Sequence, residues 1–317
     1  MKMNKKNSSY ERYSYIFIII PIVLLLFGYY LFPYPHSDYI KQINQIPLFV
    51  GLIILLIGFL LNKKSFSSII KSIGWIVFAF YWATQPLTLY YSEGGDIVNA
   101  VICILGIFVL SYIAYHEFLS YIRDEKISCI NWIAGASAIS GLIYFGIERS
   151  PIALTLIHEV AKQSAWVLEF FIGEVSVGAP ILDYGAPITQ NGEAVVNIIF
   201  ACTAIQSFVI FIGMILALPK IDIKRRIIGL IITIIPVYIL NLFRNAMVAF
   251  LSYRNITDFN IAHNYIAKAG SLIALIVLLV ILIKIIPEVL DEIFCLTDLY
   301  KRNGPIEKIF SKIWSKK

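Results

Sequence analysis

Charge is scarce in this chain. Asp, Glu, Lys and Arg make up 15% of its 317 residues against 59% apolar residues, and the mean hydropathy is +0.80. A soluble domain carries about a quarter charged residues, so the composition excludes an ordinary soluble enzyme or binding module. Cysteine is also sparse. The four residues, Cys103, Cys129, Cys202 and Cys295, contain no Cys-x-x-Cys pair, so sequence spacing suggests no metal site, and no cofactor is expected. The net charge of +6 could suit nucleic acid, but the distribution of the basic residues points elsewhere.

What is present in quantity is long apolar sequence. A helix needs roughly 17 to 25 mostly apolar residues to cross the hydrocarbon layer. Runs at 15–32, 46–61, 73–91, 97–118, 130–147, 202–218, 227–252 and 269–286 meet or approach that length. They predict an all-α polytopic membrane protein with about eight transmembrane helices. The first run follows Lys2, Lys5, Lys6 and Arg12 as a secretory signal would. It is too long for one and lacks a small-x-small cleavage site, so it reads as an uncleaved helix.

Lys and Arg set the orientation. With both termini inside, the outside loops hold only Lys41, Arg149, Lys162, Arg254 and Lys268, and Arg244 lies within a helix. The other basic residues, including Lys63, Lys64, Lys71, Arg123, Lys126, Lys220, Lys224, Arg225, Arg226 and the tail from Lys284, fall inside. This is the positive-inside pattern, and it accounts for the basic excess as topology.

The chain divides by composition into four stretches. Residues 1–147 read as a five-helix scaffold poor in intramembrane polar residues. Residues 148–200 form an external loop. Ser150-Pro151 opens a helix in that loop, with a hydroxyl N-cap and proline at the first helical position. Its run to Ile172 carries His158, Glu159, Lys162, Gln163 and Glu169, which fits an amphipathic helix lying on the outer interface. Gly-Ala-Pro-Ile then occurs twice, and Gln190-Asn191-Gly192-Glu193 predicts a hairpin turn. Residues 201–286 supply three helices with unusual polar content, and 287–317 form a cytoplasmic tail.

Three features of 201–286 call for chemistry. Cys202, in Ala201-Cys202-Thr203-Ala204-Ile205-Gln206-Ser207, is expected in the first turn of the sixth helix, where the dipole favours a thiolate. Taken alone it reads first as a small packing residue. Arg244, in Asn241-Leu242-Phe243-Arg244-Asn245, lies about 13 Å below the outer end of its helix. A charge there costs on the order of 2.5–3.5 kcal/mol and ordinarily faces a cavity or partner. His263, in Ala262-His263-Asn264, enters the membrane at the same face, with Arg254 and Lys268 as other cations of that loop. A thiol, a guanidinium and an imidazole on one leaflet suit acyl transfer through a thioester. A transporter with an intramembrane Arg site, its helix interrupted by Pro236, is the alternative.

These three motifs together resemble the exosortase/archaeosortase family across the third to eighth helices and the acidic start of the tail. The resemblance implies a membrane cysteine transpeptidase or protease, unrelated in fold to bacterial sortases. Its substrates would be exported surface proteins with a C-terminal signal made of a short motif, a hydrophobic helix and a basic cluster. In the archaeosortase branch the motif is Pro-Gly-Phe, and a membrane lipid is attached to the new terminus. It further implies Cys202 as nucleophile, Arg244 as the essential arginine, and His263, with Arg254 as fallback, as the third residue. The active site would face the extracytoplasmic side of the cell membrane. Glu288, Asp291 and Glu292 are then expected to meet the basic cluster of the substrate.

Overall fold

Hydrocarbon offers no hydrogen bonds to a backbone, so apolar runs of this length fold as helices that satisfy their own N–H and C=O groups. The computed structural model describes residues 12–64, 66–91, 96–181 and 184–314. Lys2, Lys5, Lys6, Lys316 and Lys317 of the orientation argument lie outside these. Six helices are long and apolar enough to cross a membrane among the described residues, with bounds Tyr13–Leu31, Tyr39–Leu60, Ile97–Arg123, Ser128–Glu148, Ile223–Tyr253 and Phe259–Ile285. The chain is a helical polytopic membrane protein.

The remaining two of the expected eight runs form shorter helices, for local reasons. The run 73–91 divides into α3 (Ser67–Ala83) and the short α4 (Pro86–Tyr91), after α1 (Ile16–Leu31) and α2 (Asp38–Leu60). Pro86 brings no N–H to a helical ladder and disfavours helical geometry at Gln85, which places the break at Thr84-Gln85. The run 202–218 shrinks to α8 (Ile205–Ala217), because Ala204 takes a left-handed conformation with φ 66° and ψ −2°. The other long helices are α5 (Ile97–Arg123), α6 (Ser128–Glu148), α9 (Ile223–Tyr253) and α10 (Phe259–Ile285). Two shorter helices, α11 (Glu288–Thr297) and α12 (Pro305–Trp314), follow them.

The chain groups into two compact units, Met1–Ile139 with Asp291–Lys317, and Ser140–Leu290. In the first, α3 packs against both α2 and α5. Close approach relies on glycine: a Cβ at Gly51 would meet the Phe78 amide nitrogen at 2.7 Å, and one at Gly74 would meet Leu55 at 2.9 Å. Lys71, expected in a cytoplasmic loop, instead lies in α3 and is 2% exposed, because the helix starts ahead of the apolar run. Its Nζ donates to Asn131 Oδ1 at 3.0 Å and stands 2.9 Å from a carboxylate oxygen of the equally buried Glu117, without the alignment of a hydrogen bond. The tail is docked by polar contacts. Tyr112 and Tyr115 donate to Glu307 at 2.9 and 2.7 Å, and Arg302 donates to the His116 carbonyl at 2.9 Å and Glu125 at 2.7 Å.

In the second unit, α7 (Ile152–Ile172) packs against α9 and against a three-stranded antiparallel sheet. Its buried face is Ala153, Ile157, Val160, Ala161, Ser164, Ala165, Val167 and Leu168, which follows the amphipathic pattern of the sequence. The sheet runs β1 (Ser176–Val177), β2 (Ala186–Gln190), β3 (Glu193–Ile198). Asn191 and Gly192 have φ of 53° and 86°, the paired positive values that the Asn-Gly hairpin predicts. Gly185, also at positive φ, sits where a Cβ would meet the Ile198 carbonyl oxygen at 2.3 Å. The acidic patch expected at 288–292 is largely committed. Glu288 takes both guanidinium nitrogens of Arg225 at 2.7 and 2.6 Å, and Glu292 is buried, which leaves Asp291 exposed.

Removing one partner of a buried ion pair strands the other charge, which costs about 3–5 kcal/mol, whereas replacing both with apolar residues is close to neutral. Lys71→Met and Glu117→Leu are each expected to lower the thermal unfolding midpoint in detergent, and the double variant to recover most of that loss. Additive losses in the double variant would contradict the pairing.

Candidate active site

The chain enters the site from β3. Ile199 is extended, Phe200–Cys202 form one 3-10 turn, and Ala204 reverses the chain before α8 begins at Ile205. The Cys202 N–H donates to the Ile199 carbonyl at 2.9 Å, and the Thr203 hydroxyl donates to the Phe200 carbonyl at 2.7 Å. The Ala204 carbonyl accepts from the Ser207 and Phe208 amides, each at 3.0 Å. Cys202 thus precedes α8 instead of lying in its first turn, and the argument from the helix dipole, which fades within one turn, weakens accordingly. Gln206, four residues on, is exposed. Left-handed geometry costs a non-glycine residue roughly 1–2 kcal/mol, and nothing in the sequence announces it at Ala204.

The Cys202 side chain, 8% exposed, packs in a core with Val160, Ala161, Ile188, Ile198, Ala246 and Ala249. Its carbonyl accepts from two side-chain amides of α9, Asn241 Nδ2 at 2.7 Å and Asn245 Nδ2 at 3.0 Å. Asn245 also donates to Ser164 Oγ of α7 at 3.3 Å. The i+4 spacing of the two asparagines puts them on one helix face, and the structure shows that this face holds the turn of Cys202.

Arg244 lies between them in sequence and is half-buried. Its Nη1 reaches Asn245 Oδ1 at 3.5 Å, and its buried Nε has no hydrogen-bond partner among the described residues. It lines a cavity of about 430 Å³ with Ala204, Ser207 and Asn241, and the walls are otherwise mostly apolar, from residues such as Phe171, Val237, Met247 and Leu275. A guanidinium lining a cavity of this character suits a ligand with an apolar body and an oxygen at one end.

His263 falls in a π-helical turn, Ala262–Ala267, within α10. Its ring stacks on Phe259 with centroids 5.4 Å apart, and Arg244 and Lys268 are close enough to act on it electrostatically. Arg254 caps the C-terminal end of α9 and is exposed. Among the described residues, no hydrogen bond or ion pair joins the Cys202 thiol, the Arg244 guanidinium and the His263 ring to one another. The structure therefore couples Cys202 to the Arg244 helix through a backbone carbonyl.

The chain is similar to archaeosortase A of Natronomonas pharaonis, 25% identical over 185 residues, which are 55% of this chain and 55% of that protein. It thus matches about half the length of that curated relative, and the relationship is distant. No protein-family model matches the chain, and no solved structure matches it.

Each amide on the Cys202 carbonyl is a buried hydrogen bond, and its loss strands an acceptor or leaves a void at a cost of about 1–3 kcal/mol. Asn241→Ala and Asn245→Ala are expected to raise amide hydrogen exchange at 199–204 selectively. Unchanged exchange there in a folded variant would show that the turn stands without them.

Proposed function

We propose that this protein is a membrane cysteine transpeptidase that cleaves a Pro-Gly-Phe-type C-terminal sorting signal from exported surface proteins through a Cys202 thioester, coupled to attachment of a membrane lipid. The observation that carries the reading is the cavity beside the Ala204 turn. Arg244 lines it, from the helix face that also fixes the Cys202 carbonyl. The similarity to archaeosortase A supports the reaction class.

The thiol gives its proton to a base, and the thiolate attacks the scissile carbonyl carbon. His263, carried by the π-helical turn near the start of α10, supplies that base. Catalytic hydrogen bonds commonly tighten when substrate binds, so the unbound ring need not touch the thiol. Arg244 stabilises the oxyanion of the tetrahedral intermediate, the place where a fixed charge in a water-poor site contributes most. Collapse breaks the peptide C–N bond, and the departing amine takes the proton from the imidazolium. The hydrophobic helix leaves with that amine. A lipid nucleophile then attacks the thioester, restores the thiol and forms the new linkage. The apolar walls of the cavity accommodate a hydrocarbon segment of either substrate. In the orientation set by the basic loops, this site faces the extracytoplasmic side, where an exported protein retained by its C-terminal helix presents its signal.

In the native host, Cys202→Ala is expected to abolish processing of a Pro-Gly-Phe-tailed surface protein while the variant still accumulates in the membrane. Arg244→Lys keeps a charge but loses the planar fork, and it is expected to slow processing by about 100-fold. Full processing and lipid attachment by Cys202→Ala would overturn the thiol mechanism and favour transport.

A further inference from the structure

A second sulfur site lies in the other unit. Cys129 stands in the first turn of α6 and Cys295 lies in α11, 166 residues apart in sequence, with Cα atoms 5.8 Å apart and the sulfurs bonded. Sequence spacing gave no hint of the pair, since neither cysteine has a neighbour at motif distance. Glu292 precedes Cys295 on the adjacent turn of α11, and it is 8% exposed. Its Oε1 accepts a hydrogen bond from Ser128 Oγ, whereas Oε2 is buried with no partner among the described residues. One of its carboxylate oxygens and the two sulfurs all lie within 4.8 Å of one another. Around the sulfurs are Ile130 and Leu299, with Tyr112, Ile127 and Leu296 packed against them.

A buried carboxylate oxygen in apolar surroundings calls for a hydrogen-bond donor or a cation. We propose that, once the Cys129–Cys295 bond is reduced, Cys129, Cys295 and Glu292 bind a divalent metal ion of the zinc class. Two electrons from a cytosolic dithiol cleave the S–S bond, the dithiol becomes a disulfide, and each sulfur gains a proton. The ion then displaces both thiol protons and binds two thiolates and a carboxylate, which leaves a fourth position for water. Tetrahedral ligation with Zn–S bonds near 2.3 Å puts the sulfurs about 3.8 Å apart, within side-chain reach at this Cα separation. Ser128 acts as the orienting partner, holding Oε1 so that Oε2 remains free for the ion. The oxidised pair and the metal-bound pair both clip α11 to the start of α6, so the clip persists in either redox state. In the proposed orientation these residues lie on the cytoplasmic side, where disulfides are uncommon and reductant is at hand. The capacity to bind metal is independent of that orientation.

The test uses the full-length protein in detergent, reduced anaerobically with a phosphine and titrated with Co²⁺. About one equivalent should bind with a thiolate-to-cobalt charge-transfer band, and Zn²⁺ should bleach it. Before reduction the band should be absent. It should vanish in Cys129→Ser and Cys295→Ser, persist in Cys103→Ala, and require at least ~10-fold more cobalt in Glu292→Gln. Should the serine variants fail to elute as folded protein, wild type decides: Zn²⁺ should shield two thiols from alkylation, and peptide mapping should assign them to 129 and 295. No band in reduced wild type, a band that survives loss of either cysteine, protection at other thiols, or unchanged affinity in Glu292→Gln would overturn the ligand set.

Discussion

The geometry of the candidate site hangs on one backbone acceptor, the Cys202 carbonyl. Ala204 turns left-handed directly after Thr203, so α8 begins too late to include Cys202. Two amides from α9 take its carbonyl instead, and one of them also reaches α7 through Ser164. Three elements are thus fastened through a few side-chain atoms in an apolar interior, where a missing hydrogen bond is costly and a completed one is correspondingly specific. The strain at Ala204 is sustained because these bonds fix the residues on its N-terminal side and α8 fixes those after it.

That fastening sets up a division of labour within the second unit. The thiol side packs against α7 and the sheet, while the guanidinium side opens on a cavity with mostly apolar walls. Under the proposed function, the apolar walls would exclude water from a reacting carbonyl while Arg244 supplies charge to its oxygen. The sheet contributes by delivery: the Asn-Gly turn and Gly185 fix β3 against β2, and β3 leads into the turn that carries Cys202.

The first unit departs most from a plain scaffold. Lys71 and Glu117 meet in its interior, and the tail is bound through Glu307 and Arg302 to residues of α5. Charges at these positions looked like loop and tail charges because hydropathy averages over a window and does not register which single polar residue turns inward. Cys129, Glu292 and Cys295 were invisible for a related reason: their proximity depends on helices far apart in sequence, with 166 residues between the two cysteines' positions.

By itself the sequence determined that the chain is a helical membrane protein, where six of its long helices run, that α7 has one buried face, and that Asn191-Gly192 closes a hairpin. Each of these follows from local rules of length, periodicity or turn chemistry, which act over a few neighbouring residues. It also singled out the face of Asn241, Arg244 and Asn245, because charge in an apolar helix is conspicuous. Tertiary structure alone decided that the asparagines hold the Cys202 carbonyl, that Cys202 precedes its helix, that Lys71 is buried against Glu117, and that Cys129 and Cys295 share a site with Glu292. Those outcomes depend on which faces of distant helices meet and on a single left-handed residue, and no local pattern encodes either.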